Sequence, residues 1–312
     1  MSAEIPHAGI PTNSVIAATR VVSWPPQTAY EFLQFRFPEN AQRIAELVAT
    51  GEIYDATGQP ITTATPFEPG RDLYLFRDPP GDEPEVPELA EIEILHRDDN
   101  LLVIDKPHRV AVIPRGRWIT QTALVYLRNL LDLPQLSPVH RLDRPTAGVL
   151  VFAVRPEVRG VYQMLFQDRQ VNKEYLAVTQ APASGSELAT LANYPLVVRS
   201  RIVKQRGIAP ALEVPGEPNA ETTLRLLDAR DNRALWSLQP KTGKTHQLRL
   251  HLNSIGLPIL GDPFWPTLRS EAELDDSHQP PLQLLAKTLE FIDPITGEQR
   301  RFESRRRLFC WE

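Results

Sequence analysis

The pattern of apolar and polar positions predicts both strands and helices in the last two thirds of this chain. Residues 149–154 are six consecutive apolar residues, as in a strand buried on both faces. Residues 92–95 and 101–104 predict two strands around an Asp-Asp-Asn turn, and further strand candidates lie around Tyr175 and in residues 222–238. An amphipathic helix is predicted after the apolar run, where apolar residues recur at helical spacing: Val158, Val161, Tyr162, Leu165 and Phe166.

The first ninety residues follow another pattern. Residues 1–26 contain four prolines and no periodic apolar face, which predicts an extended lead-in. Residues 27–78 carry an amphipathic segment, a turn and an apolar strand, and predict a small compact domain. Residues 79–90 interleave Pro with Asp and Glu, a composition typical of a linker. Residues 91–312 then form the predicted main domain.

Composition is that of an ordinary globular protein, with 42% hydrophobic and 23% charged residues among 312. The longest apolar run is far shorter than the roughly 20 residues of a membrane span. The N-terminus lacks the basic segment and apolar core of a secretory signal. A single cysteine, Cys310, excludes an internal disulfide and a multi-cysteine zinc site. We therefore expect a cytoplasmic protein with no membrane partner.

The net charge of −5 at first argues against a nucleic-acid partner, because phosphates attract Lys and Arg. The charge is unevenly distributed, however. Residues 1–90 hold 5 Arg, no Lys and 13 acidic residues, whereas residues 91–312 hold 29 basic and 26 acidic residues. Binding to a nucleic acid would therefore depend on a local basic cleft in the main domain.

The segment with the clearest chemical content is residues 140–148, His-Arg-Leu-Asp-Arg-Pro-Thr-Ala-Gly. Its Pro and Gly predict a loop, and a buried strand follows at once, so Asp143 is displayed on an irregular segment beside a rigid core. Reactive groups are often presented in this way. The alternative is a surface loop in which Asp143 is only salt-bridged to Arg141 or Arg144.

Three segments together resemble one known family. Residues 140–148 are followed by residues 171–178, and then by residues 240–252, which continue into residues 256–263. In this order they resemble the RluA family of RNA pseudouridine synthases, over roughly residues 90–311. The resemblance implies an α+β pseudouridine synthase fold, with a long mixed, mainly antiparallel sheet and flanking helices.

The front of the chain resembles a family domain less closely. Residues 27–78 are similar to a degenerate S4-like domain, which many of these synthases carry at this end. Their acidic balance departs from an RNA-binding face. We therefore expect a packing or spacer role for this domain.

The resemblance also implies a catalytic set. Asp143 corresponds to the catalytic carboxylate, which acts on the ribose as a nucleophile or as a base. Arg249 corresponds to the cation that keeps this carboxylate charged, since burial alone favours the neutral form. Tyr175 corresponds to the tyrosine that lies against the uracil ring, where it is expected to assist proton transfer at the ring carbon. The alternatives are a phosphate clamp or an exposed helix arginine for Arg249, and a core tyrosine for Tyr175.

A uridine in a stacked stem-loop must be flipped out before it can react, at a cost of a few kcal/mol. Arg141 resembles the family residue that fills the vacated place in the stack, and a guanidinium plane suits that role. Other basic residues are expected to contact the RNA backbone, with solvated surface charge as the alternative for each: Lys106, Arg144, Lys173, Lys241 and Lys244.

No cofactor or metal is expected. His246 and His251 are five residues apart, which does not place them on one helix face. Gly243-Lys244-Thr245 is similar to the end of a P-loop, but Leu238 stands where the leading glycine is required.

The predicted function is isomerisation of a specific uridine in a stem-loop of rRNA or tRNA by a monomer without an obligatory protein partner. The alternative is a catalytically inactive RNA-binding protein that retains the synthase fold. Two departures from the family pattern keep that alternative open. Ala147 replaces a frequent Ser, and Leu285 replaces a common His.

Overall fold

The structure, a computed structural model, describes residues 14–17, 26–75, 83–116, 118–185, 194–205, 210–267 and 280–311. The chain divides into two compact units, residues 1–81 and residues 82–312. None of the helices in the described ranges has the length and apolar character needed to cross a lipid bilayer.

The N-terminal unit combines two helices with a small antiparallel sheet. Its elements are β1 (Ser14–Ala17), α1 (Ala29–Arg36), α2 (Ala41–Ala49), β2 (Ile53–Tyr54) and β3 (Asp72–Leu75), with strand order β1-β3-β2.

The predicted amphipathic segment is in fact two helices, α1 and α2, separated by a 3-10 turn. Thr28 begins α1 with a capping box, in which the Thr28 hydroxyl accepts the Glu31 amide at 3.1 Å. Strand β1 lies within the segment that was predicted to be an extended lead-in. The sequence did not predict this strand because four residues are too few to show a periodic pattern. The S4-like assignment of this unit stays a prediction.

The predicted linker, residues 79–90, is partly a folded piece of the second unit. The Glu83 carboxylate accepts the backbone N–H groups of residues 119–121, and the Val86 amide donates to Gln121 Oε1 at 3.2 Å. Val86 and Leu89 are buried in a core cluster. The linker expectation is therefore wrong from residue 83 onward. The Pro-rich and acidic composition of this segment gave no sign that its apolar residues are buried.

The second unit contains three helices and eleven strands among its described residues. The elements are β4 (Glu93–Arg97), β5 (Leu101–Lys106), α3 (Ala123–Leu131), β6 (Ser137–Pro138), β7 (Ala147–Ala153), α4 (Pro156–Gln167), β8 (Asn172–Gln180), β9 (Leu196–Val203), β10 (Leu212–Val214), β11 (Ala220–Arg230), β12 (Arg233–Pro240), α5 (Gln247–Ser254), β13 (Leu284–Ile292) and β14 (Gln299–Glu303).

One large sheet runs through this unit in the order β10-β9-β11-β12-β8-β13-β7-β5-β4, with β14 and β6 paired beside it. All neighbours are antiparallel except β13 and β7. In that parallel pair Gly148 faces Ala286, and a Cβ on Gly148 would lie 2.2 Å from the Ala286 carbonyl oxygen. Gly148 also has φ +114°, a conformation that favours glycine. The predicted mixed, mainly antiparallel sheet is confirmed.

Strand β7 lies between two hydrophobic core clusters, one on each of its faces. Val149 and Val151 belong to the cluster that includes α4, whereas Leu150 and Phe152 belong to the cluster that includes α3. This explains the unbroken apolar run, because both faces of the strand are covered. The loop that precedes β7, which carries Asp143, is therefore attached to a rigid central strand.

Candidate active site

The backbone of the Asp143 loop is fixed at several points. The Thr146 amide donates to the Asp143 carbonyl at 3.0 Å, which closes a turn. Lys106 Nζ donates to the Arg144 carbonyl at 3.2 Å, and His108 Nδ1 donates to the Pro145 carbonyl at 2.7 Å. The carboxylate is thus presented from a held segment, and its side chain keeps 29% of its surface exposed.

Lys106 was expected to contact the RNA backbone, and the structure corrects this expectation. Its side chain is fully buried, and its ammonium also donates to the carbonyls of Pro107 and Val110, both at 2.9 Å. Burial, together with the nearby Arg144 charge, places the pKa of Lys106 well below its ordinary value. Lys106 therefore holds the turn after β5 against the Asp143 loop and does not face solvent.

Arg249, on α5, joins two carboxylates. Its Nε and Nη2 donate to the two oxygens of Asp262, both at 2.7 Å, and its Nη1 lies 3.5 Å from Asp143 Oδ2. Arg249 and Asp262 are both buried, so this bidentate pair is removed from water. The exposed-helix alternative for Arg249 is therefore wrong, and Asp262 is the stronger of its two partners.

The surroundings of Arg249 favour its charged form. Burial lowers the pKa of the guanidinium, but the hydrogen bonds and charge of Asp262, with a contribution from Asp143, outweigh burial and raise the pKa above its ordinary value. The guanidinium also lies 5.0 Å from the ring centroids of Phe264 and Trp265. A permanent cation is thus fixed beside Asp143.

His246 is a second nitrogen group near the carboxylate. The Ala211 amide donates to its Nδ1 at 3.2 Å, so the ring proton lies on Nε2, which is 3.9 Å from Asp143 Oδ2. Burial lowers the pKa of His246 to about 4, although Asp143 opposes the shift. The ring is therefore neutral at pH 7.

Tyr175 lies in β8, as predicted, and its role at the uracil ring stays a prediction. It packs against two core clusters and also lines the cleft that contains Asp143. Burial, and then the Asp143 charge, raise the pKa of its phenol above the ordinary value. The phenol is therefore protonated at neutral pH.

All the predicted site residues except Lys106 line one cleft of about 1280 Å³. Among the described residues of its lining, ten are Lys or Arg and one, Asp143, is acidic. The local basic cleft that RNA binding would need is present, although the whole chain is acidic. Sequence reasoning missed several members of this lining: Arg109, Arg115, Trp118, Arg169, Lys204 and His246.

The exposed basic residues of the cleft differ in their partners. The ammonium of Lys241 forms an ion pair with Glu221, which also binds Arg199. For Lys244, no carboxylate lies within salt-bridge distance in the described part of the chain. The loop between them is tied to α5, because Gln247 Oε1 accepts the Thr242 hydroxyl at 2.7 Å and the Lys244 amide at 3.1 Å.

A metal site was not expected. Within the described ranges, no group of three or more His, Cys, Asp or Glu side chains is arranged to hold a metal ion. The expectation that no cofactor is needed stays a prediction.

Comparison with known proteins decides the family. A sequence profile described as RNA pseudouridylate synthase matches residues 100–254. The dual-specificity RNA pseudouridine synthase RluA of Escherichia coli K12 is 31% identical over 223 residues, which are 70% of this chain and 94% of RluA. The chain belongs to the RluA family of RNA pseudouridine synthases.

Other relatives of this RluA-family chain are matched over different shares of their own length. Mouse pseudouridylate synthase RPUSD2 is 35% identical over 182 residues, which are 58% of this chain but 32% of RPUSD2. The solved structure of human RNA pseudouridylate synthase domain containing 4 matches with a TM-score of 0.51 and 31% identity, over 70% of this chain and 89% of that one. The predicted family and fold class are confirmed.

Proposed function

We propose that this family member converts one uridine in a stem-loop of rRNA or tRNA to pseudouridine, with Asp143 as the catalytic carboxylate. One observation carries the proposal: among the described residues of the cleft lining, a single acid stands among ten basic side chains. The basic side chains suit a phosphate backbone. Arg249 places a positive charge beside the single acid, with Nη1 3.5 Å from Asp143 Oδ2.

The reaction rearranges bonds without an outside reagent. The bond from ribose C1′ to uracil N1 breaks, a bond from C1′ to C5 forms, C5 loses a proton and N1 gains one. Asp143 takes part either by attacking C1′ or by removing a proton from the neighbouring sugar carbon. Both roles need an ionised carboxylate at this position.

Tyr175 has a narrower role than the family resemblance allows. Because its phenol is protonated at neutral pH, it is a poor acceptor for the C5 proton. We propose that Tyr175 orients the uracil ring by contact and by donating a hydrogen bond, while another group or water takes the proton.

The cleft fits a macromolecule better than a small metabolite. Its volume exceeds the roughly 300–1000 Å³ of a small-ligand pocket. We propose that Arg141, which is exposed, fills the stack when the uridine is flipped, and that Arg144, Lys173, Lys241 and Lys244 contact the RNA.

We assign the other parts of the chain as follows. Residues 27–78, with their acidic balance, act as a spacer with a degenerate S4-like fold. The protein acts as a monomer, and it acts in the cytoplasm, a reducing compartment that suits a chain with one cysteine.

The test is chemical detection of pseudouridine in rRNA and tRNA purified from cells that lack this gene. The wild-type protein should introduce pseudouridine at one position, and Asp143→Asn should introduce none. Chelator added after the RNA has folded should leave the rate unchanged. Binding of RNA without product from the wild-type protein would instead support the inactive RNA-binding alternative.

A further inference from the structure

An arginine and a tryptophan are stacked beside the catalytic loop. The guanidinium carbon of Arg144 lies 4.4 Å from the centroid of the Trp118 ring. Both side chains line the cleft together with Asp143, and Arg144 is the residue next to Asp143 in the chain. The stack therefore lies within one residue of the group that would act on the target nucleotide.

The tryptophan side of the stack is held by its own backbone and by the preceding segment. Two backbone hydrogen bonds, of 2.8 Å and 3.1 Å, join Arg115 and Trp118. The next three amides, of Ile119, Thr120 and Gln121, all donate to the Glu83 carboxylate at 2.6–2.8 Å. The indole also packs against the core cluster that includes α3.

The arginine side is held as well, because Lys106 donates to the Arg144 carbonyl at 3.2 Å. Both partners thus extend from fixed backbone. A surface that is ordered before RNA binds loses less conformational entropy on binding.

We infer that Trp118 holds the Arg144 guanidinium as a flat surface on which an unpaired base next to the target uridine stacks. The inference rests on the proposed function only in taking RNA as the ligand. Planar guanidinium groups and aromatic rings are the groups that proteins use to stack splayed bases. The inferred substrate is therefore RNA in which a neighbour of the reactive uridine is also unpaired.

A contact to phosphate alone would not need this arrangement. Lys241 and Lys244 already supply exposed ammonium charges to the cleft, and a point charge needs no aromatic support. Stacking on an indole fixes the plane of a guanidinium, and a fixed plane is what a stacked base requires.

The test uses a short single-stranded oligoribonucleotide with one uridine between two adenosines, and the same oligomer with abasic sites in place of the adenosines. Affinities are measured at low salt by fluorescence anisotropy. The wild-type protein should bind the intact oligomer about 5- to 150-fold more tightly, the range typical of one base stack. Trp118→Leu and Arg144→Lys should both lose this preference, and Trp118→Phe should retain most of it.

Lys244→Ala is the matched control, and it should lower the affinity for both oligomers by the same factor. Arg144→Lys keeps the charge and leaves Trp118 in place, so it carries the test if Trp118→Leu fails to fold. A preference that survives in Arg144→Lys, or is absent from the wild type, would overturn the stacking surface while leaving the proposed function intact. Binding of neither oligomer by the wild type would also overturn the stacking surface. The proposed function, which takes a stem-loop as substrate, is tested separately by pseudouridine formation.

Discussion

The basic residues around Asp143 fall into two groups that differ in burial. Arg249 and Lys106 are buried, with 2% and 0% of their surface exposed, and their N–H groups donate to fixed protein acceptors. The side chain of Lys241, by contrast, is 66% exposed, and Arg141 and Lys244 are exposed too. The buried group holds the shape of the site, whereas the exposed group is the one that we propose contacts RNA.

Because of this difference in burial, substitutions in the two groups should affect different properties of the protein. Removing a buried cation leaves a buried acceptor or carboxylate without its partner, which lowers the free energy of unfolding. Removing an exposed cation changes mainly the affinity for a polyanion and its dependence on salt. Substitutions in the two groups should therefore fail in different assays.

The largest effect is expected at Asp143, the carboxylate between the two groups. Asp143→Asn should lower the single-turnover rate by about 10⁴-fold or more, as when a group needed for bond breaking is lost. RNA affinity should be unchanged or higher, because a negative charge leaves a basic cleft. Pseudouridine formation and RNA binding are measured on the same RNA. Turnover by Asp143→Ala would refute the mechanism.

The second largest effect is expected from substitution of Arg249. Arg249→Leu should lower the free energy of unfolding by about 3–5 kcal/mol, because the buried Asp262 loses its bidentate partner. The rate at saturating RNA should fall as well. The double variant Arg249→Leu, Asp262→Leu should recover stability but not rate, as measured by urea unfolding and single-turnover kinetics. Recovery of both would mean that Arg249 has no part in the chemistry.

Arg141→Ala tests the exposed group at the flipping step. Its defect should be large on a paired target uridine and smaller on one beside a mismatch, where flipping costs less. Arg249→Leu should lose rate equally on both substrates. Single-turnover kinetics on the two stem-loops make the comparison. Equal losses on both for Arg141→Ala would assign it a role other than filling the stack.

A smaller effect separates Lys244 from Lys241. Lys244→Ala should weaken RNA binding by several-fold and lower the salt slope by about 1, as for one phosphate contact. Lys241→Ala should have less effect, because its ammonium already pairs with Glu221. Affinities measured over a series of salt concentrations decide this. A larger loss for Lys241→Ala would show that RNA replaces Glu221 as its partner.

The smallest effect on activity is expected from pH. Burial lowers the pKa values of His108, His246 and His251 to about 4, so activity should show no histidine step between about pH 6 and 8. Stability should respond, because below pH 6.5 the unfolded chain binds protons that the folded chain does not. The free energy of unfolding should fall by about 1.4 kcal/mol per pH unit for each histidine between pH 6.5 and 4. Urea midpoints that stay constant over this range would contradict it.

Local patterns predicted the local elements well. The run at residues 149–154 and the spacing around Tyr162 correspond to β7 and α4, because each pattern reflects burial against a neighbour. The parallel pairing of β7 with β13 could not be predicted in this way. Its partners, Ala147 and Leu285, are far apart in the chain and share no local signal.

The candidate site shows a similar limit. Asp143, Tyr175 and Arg249 were placed in one cleft from three motifs. The sequence did not distinguish a buried lysine from an exposed one, so the prediction that Lys106 contacts the RNA backbone was wrong. Lys106 is the last residue of β5, and all six residues of that strand are buried. Asp262 lies inside a quoted motif, but its pairing with Arg249 depends on tertiary structure.

The contact at Gly148 changes how genetic data on this segment should be interpreted. Position 148 tolerates no methyl group because the Ala286 carbonyl would lie 2.2 Å away, and that limit has nothing to do with uridine. A screen for lost modification would score Gly148→Ala and Asp143→Ala alike. The first would remove the protein from the soluble pool, whereas the second would leave an intact protein that still occupies RNA and competes with the wild type. Dominance over a wild-type copy would therefore separate them.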